Sequence, residues 1–189
     1  FLNEDLILIV HNYPVPWIQA INFGIIYGIS PFGLSRQLRI PQTEAKQYID
    51  SYFARYPGIK DYMDKAKIFS REHGYVMSLL GRRIYIPGIL DKNHNLRSFS
   101  ERASINAPLQ GSAADIMKLA IIRMHKSLEK SKLRAKMVLS VHDELLFEVA
   151  ESDSIDLCAL VKEQMESVIS LEVPLVVDTG IGQNWSEAH

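Results

Sequence analysis

The sequence predicts an α+β fold in which a helical lobe is followed by a long helix packed on an antiparallel β-hairpin. Three observations predict it. Apolar and aromatic residues recur at three- and four-residue spacing through most of residues 17–130. The period shortens to two over residues 137–149. There, His142-Asp143-Glu144 separates two apolar runs. A chain of 189 residues can form one substantial core, or two small lobes that share an interface.

The elements follow in order. Phe23, Ile26 and Tyr27 cluster on one side of a helix over 17–28 that Gly28 terminates. Ser30-Pro31 starts a second, short helix. Thr43, followed by Glu44 and Ala45, has N-cap character, and Tyr48, Ile49, Tyr52 and Phe53 mark one helical face before Pro57-Gly58 breaks it. Another helix is predicted over 59–73, stopped by Gly74. Residues 75–80 and 83–86 form a hairpin turning at Gly81-Arg82 and closed by Pro87-Gly88. After a polar loop at 91–95 the helical pattern resumes over 99–130, where Pro108 should kink or restart it. Met137, Leu139 and Val141 alternate along one strand and residues 145–149 continue as a second. A helix over 153–169 and a final strand over 175–179, ending in Gly180 and Gly182, complete the reading.

Composition excludes several classes. No stretch approaches the roughly 20 apolar residues of a membrane span, and the run Leu6 to Val10 lacks the preceding basic region of a signal peptide, so the chain reads as cytosolic. Cys158 is the single cysteine, which excludes an internal disulfide and multi-thiolate zinc; it reads as a small apolar residue on a helix. Charge is asymmetric. Residues 1–136 hold 20 Lys and Arg against 11 Asp and Glu, while residues 137–189 hold 1 against 11. Such segregation suits an electropositive face toward a polyanion, or ordinary solvated helix faces.

The chemistry concentrates at the hairpin tip. Adjacent carboxylates on rigid strands, Asp143 and Glu144, offer oxygen ligands to Mg²⁺, which takes one or two protein carboxylates and completes its octahedron with water and phosphate oxygens. Asp and Glu are also good turn residues, so the tripeptide alone leaves both readings open.

The surrounding residues add a resemblance. Val141-His142-Asp143-Glu144-Leu145 resembles motif C of family A DNA polymerases, in which the Asp is a metal ligand and the His lies near the primer terminus. Ala20-Ile21-Asn22-Phe23-Gly24-Ile25-Ile26-Tyr27-Gly28 is similar to the end of motif B, the fingers helix. The resemblance implies that Phe23 stacks on the incoming nucleotide and that Tyr27 places the templating base, roles that an aromatic face fills for any base. Glu101-Arg102-Ala103-Ser104-Ile105-Asn106-Ala107-Pro108-Leu109-Gln110-Gly111 resembles the palm helix whose Arg, Asn and Gln contact the primer-template. Gly81-Arg82-Arg83, Pro57-Gly58 and the ending Asn184-Trp185 also match, so the resemblance runs over about residues 19–189.

The match stops upstream of Ala20. Where the family has an Arg and a Lys that bind the triphosphate, this chain has Val15 and Gln19, and neutral Gln19 cannot protonate a leaving pyrophosphate well. Motif A, with the other metal-binding Asp, and the thumb are expected to be absent; Glu4 or Asp5, beside the apolar run 6–10, is a weak substitute.

The resemblance therefore implies an atypical segment 1–16, a fingers-like helical lobe 17–95 and a partial palm 96–189. It implies template-directed DNA synthesis in replication and repair, in the cytoplasm at the nucleoid, on primer-template DNA and deoxynucleoside triphosphates. Asp143 and Glu144 would be catalytic residues and hold magnesium in an incomplete two-metal site; Phe23 and Tyr27 would serve nucleotide and template; Arg102, Asn106, Gln110 and His142 would serve the primer-template. This chain alone is expected to be inactive. The rival reading is a catalytically dead remnant that binds nucleic acid or is purely structural.

Overall fold

The computed structural model describes residues 5–11 and 24–188. Two units emerge, one of residues 14–115 and the other of residues 1–13 with 116–189.

In the first unit a helical turn at 24–26 ends at Gly28, whose φ is 77°. The Gly28 N–H donates to the Ile25 carbonyl (3.0 Å) and the Ile29 N–H to the Gly24 carbonyl (2.8 Å), paired bonds that close a helix end through a left-handed residue. The expected terminator is in place; the start of that expected helix lies outside the described residues. Helix α1 (Pro31–Leu38) is capped by Ser30, whose Oγ accepts from the Gly33 N–H at 3.1 Å. Helix α2 (Gln42–Arg55) begins one residue before Thr43, because Pro41 holds the extended cap conformation itself (ψ 145°) and leaves Thr43 inside the first turn. Pro57 does more than break α2. It is the first residue of α3 (Pro57–His73), where its missing N–H costs nothing, and Gly74 (φ 76°) ends that helix.

Strands β2 (Tyr75–Met77) and β3 (Arg83–Tyr85) are shorter than expected, with Tyr75 opposite Tyr85. The turn takes all of residues 78–82. The Ser78 N–H donates to the Arg82 carbonyl (2.9 Å), and Gly81 is left-handed (φ 80°). Helix α4 (His94–Lys130) runs unbroken through Pro108, so of the expected kink or restart the restart does not occur. A proline leaves the carbonyls three and four residues before it poorly satisfied. One of these is Ile105, whose carbonyl accepts the Tyr62 hydroxyl at 2.8 Å. The hairpin seats on α4 at Gly111: a Cβ there would stand 2.6 Å from the Ile84 Cδ1. Arg82 clasps the joint, with Nη2 2.9 Å from the Gly111 carbonyl and 2.8 Å from Asp115, which also accepts the Ser78 hydroxyl at 2.6 Å.

The second unit is built on an antiparallel sheet in the order β4-β5-β1-β6. Its strands are β1 (Asp5–His11), β4 (Ala135–Val141), β5 (Glu144–Ala150) and β6 (Asp178–Gly182). Helix α5 (Ser154–Glu166) and the second half of α4 cover one face. Ala120 and Met124 of α4, Leu145, Phe147 and Val149 of β5, and Leu157, Val161 and Met165 of α5 form the core. Phe147 is 1% exposed, and burial of such a side chain contributes about 1.5–3 kcal/mol. Cys158 packs at the core's edge, as a small apolar residue would. On the other face Leu146 meets Ala188 of α6 (Trp185–Ala188). The final strand lies at 178–182, not 175–179, because Gly180 and Gly182 are the residues that let this terminal helix approach: a Cβ on Gly182 would stand 2.7 Å from the Ala188 nitrogen.

Residues 5–11, within the segment read as atypical in sequence, form a strand paired with β5 and β6 on its two sides, and the two units divide inside α4 after Asp115. Both features depend on long-range contacts, the ladder of β1 and the docking of the β2–β3 hairpin on α4.

Candidate nucleic-acid cavity and metal-binding hairpin

In the first unit, α4 presents Phe99, Arg102, Asn106 and Gln110 at intervals of three and four residues, the spacing that aligns side chains on one helix face. With Ala103, Ala107 and Tyr27 they line an open cavity of about 300 Å³. Tyr27 reaches it because Gly28 turns the chain beside α4; a Cβ on Gly28 would stand 3.4 Å from the Arg102 Cγ. The two alanines give the cavity its floor, since larger residues there would fill it. Around this floor stand aromatic rings, a guanidinium and two amides. The Asn106 Oδ1 is buried without a hydrogen-bond partner within the chain. Four of the residues singled out in sequence thus meet at one site; Phe23 lies outside the described residues.

The hairpin tip belongs to the second unit. The turn contains two residues, not the three expected, because Glu144 already pairs with Val141 as the first residue of β5. His142 carries φ 53°, a left-handed conformation that costs a non-glycine residue about 1–2 kcal/mol. Strain of this kind gathers at functional turns. His142 and Asp143 are exposed and Glu144 is half-buried. A bulge at Val138 aims the tip: Met137 pairs with Phe147, but Leu139 pairs with Leu146. The alternation predicted for Met137, Leu139 and Val141 is broken there. Met137 packs on the core and Leu139 is 46% exposed.

Two adjacent carboxylates fit the habit of magnesium, which takes one or two from a protein. Among the described residues no group of three or more His, Cys, Asp or Glu side chains is close enough to hold a metal. Asp5 pairs with Ala150 at the end of β5 away from the tip, and Glu4 lies outside the described residues. The register instead places Asp178, opposite His11, at the tip end of the sheet.

A family model, DNA polymerase family A, matches residues 17–187. The chain belongs to DNA polymerase family A. It is 50% identical over 170 residues to DNA polymerase I of Streptococcus pneumoniae, a match covering 90% of this chain and 19% of that protein. It is 48% identical over 171 residues to DNA polymerase I of Pseudomonas aeruginosa, again 90% of this chain and 19% of the relative. The POL domain of Pol1 from M. smegmatis, solved in complex with DNA primer-template and dNTP, superposes with a TM-score of 0.87 at 43% identity over 90% of this chain and 30% of that one. This chain thus spans about a fifth of the length of these curated family A relatives. The helical and antiparallel architecture expected from sequence is that of a partial family A polymerase domain. No helix among the described residues is long and apolar enough to cross a membrane.

The sequence reading missed Phe99 and the Arg82–Asp115–Ser78 clasp. Phe99 had a local signal, its position one turn before Arg102. The clasp had none, since it joins residues 37 apart in sequence.

Proposed function

We propose that the whole protein is a DNA-directed DNA polymerase acting in replication and repair at the cytoplasmic nucleoid, and that this chain supplies its fingers and half of its palm. The observation that carries the proposal is the cavity itself: in a family A chain, Tyr27 lines one cavity with Arg102, Asn106 and Gln110, although Tyr27 and Arg102 lie 75 residues apart in sequence. Arg102 offers a cation to a backbone phosphate, Tyr27 a ring for a templating base, and Asn106 and Gln110 amides for minor-groove groups that scarcely vary with sequence. Phe23 would stack on the incoming nucleotide. Asp143 with Glu144 would hold magnesium, and His142 would stand beside the primer terminus. When bound, the metal supplies activation of the attacking hydroxyl and charge stabilisation at the leaving pyrophosphate.

The alternative of an inactive nucleic-acid-binding chain has its own support in neutral Val15 and Gln19 and in the far-end position of Asp5. Primer extension by the full-length protein discriminates. Loss of nucleotide addition in Asp143→Ala, with primer-template binding and thermal unfolding retained, supports the polymerase reading. Near-normal turnover in that variant removes Asp143 from the metal site.

A further inference from the structure

Pro108 stands between Asn106 and Gln110, two residues from each, within α4. It withholds the N–H that the Ser104 carbonyl would accept and crowds the turn that contains Ile105, so the helix itself holds the backbone beneath both amides less firmly. Other groups hold it. The Tyr62 hydroxyl of α3 donates to the Ile105 carbonyl at 2.8 Å, the Ser112 hydroxyl to the Pro108 carbonyl at 2.6 Å, and Arg82 Nη2 to the Gly111 carbonyl at 2.9 Å. Of the three, Tyr62 alone braces the turn before the proline. Ile105 is 1% exposed, which leaves little room for water to take the hydroxyl's place. Burial raises the Tyr62 pKa, so the group stays a neutral donor at neutral pH. Asn106 depends on this brace: its Oδ1 is buried without a partner in the chain, so no bond from that atom fixes the amide and its position follows the backbone.

We infer that Tyr62 is a positioning residue for template-directed synthesis: its hydroxyl fixes α4 before Pro108 so that Asn106, and Gln110 one turn later, stand at a separation fitted to the minor-groove edge of a base pair. The inference rests on the reading of these amides as minor-groove contacts. Acceptors on that edge keep nearly the same place in every matched pair and shift in a mismatch, so correctly spaced amides favour a matched primer end.

The test is single-turnover primer extension by the full-length protein from a matched and a mismatched primer end on one template. Tyr62→Phe deletes one oxygen atom and keeps the ring. It is expected to slow extension of the matched end about fivefold, the usual worth of one hydrogen bond, and to leave the mismatched end within about twofold, so that discrimination falls. Asn106→Ala lowers discrimination too, and Tyr62→Phe adds nothing further on that background, because both act on one contact. Equal slowing of the two ends, an unchanged rate at both, a full further loss on the Asn106→Ala background, or a Tyr62→Phe protein that does not fold by circular dichroism gives Tyr62 a purely structural role. Each of these overturns the inference and leaves the polymerase reading in place. No extension by the unsubstituted protein overturns both.

Discussion

Asp5 pairs with Ala150, six residues along β5 from Glu144, so the acidic residue that opens β1 stands at the opposite end of the sheet from the hairpin tip. At about 3.3 Å per residue the separation is near 20 Å, too far for both to hold ions that lie about 4 Å apart. The 189-residue chain is accordingly expected to add no labelled deoxynucleotide to a primed template with magnesium or manganese. The assay needs protein free of host polymerase. Incorporation that disappears in Asp143→Ala would contradict the expectation, and Asp178, which the register puts at the tip end, is then the residue to replace next.

His142 makes the turn at a conformational cost that glycine would avoid. His142→Gly is expected to leave stability unchanged or to raise it by up to about 1 kcal/mol, the relief of a left-handed non-glycine residue less the greater chain entropy of glycine. In a chain of this length that corresponds to a shift in Tm of up to about 4 °C. If His142 serves the primer terminus, the same substitution lowers primer extension by the full-length protein. A variant that is destabilised with unchanged extension shows the histidine to be a turn residue and nothing more.

Gly28 combines two constraints, a φ of 77° and the 3.4 Å approach to Arg102. Alanine there meets the left-handed penalty of about 1–2 kcal/mol and presses on the arginine stem. Gly28→Ala should lower the Tm by a few degrees and weaken primer-template binding more than a surface substitution does. Gly58→Ala, where a Cβ would meet nothing within 4 Å, serves as the control and should be neutral or slightly stabilising. Equal effects of the two would mean that the Gly28 turn does not set the cavity.

The legible parts of this molecule are those fixed by residues close together in the chain. Gly28, Ser30 and Gly74 are read directly, because caps and left-handed terminators are local. Arg102, Asn106 and Gln110 were singled out by the resemblance of their motif, and their four-residue spacing along α4 brings them to one cavity. Three features were not legible. The bulge at Val138 reverses a strand's inside and outside without a signature in its own residues. The placement of β1 between β5 and β6 depends on partners more than a hundred residues away. Pro108 was expected to interrupt a helix that stays whole, with the Tyr62 hydroxyl bound to Ile105 across 43 residues.

Asp153 gives the fold a specific acid limit. Its carboxylate accepts the Ser152 hydroxyl at 2.7 Å, the Arg134 backbone N–H at 2.8 Å and the Arg134 Nε at 3.3 Å, and together these bonds lower its pKa from 3.8 to about 2. They tie the chain just before β4 to the turn that precedes α5. A group whose pKa is depressed in the folded state contributes stability that is fully present above its unfolded pKa and lost as the pH falls through the folded value. For Asp153 the loss lies between about pH 4 and pH 2, and none is expected from this group at higher pH. Asp153→Asn should be less stable than the unsubstituted chain at pH 7, and the gap should close as the pH falls from 4 to 2. Other carboxylates titrate in both proteins, so the difference in Tm isolates this one. Thermal unfolding by circular dichroism at pH 7, 5, 4, 3 and 2.5 measures it; a gap that stays constant across the acid range would show that Asp153 holds Arg134 by neutral hydrogen bonds alone.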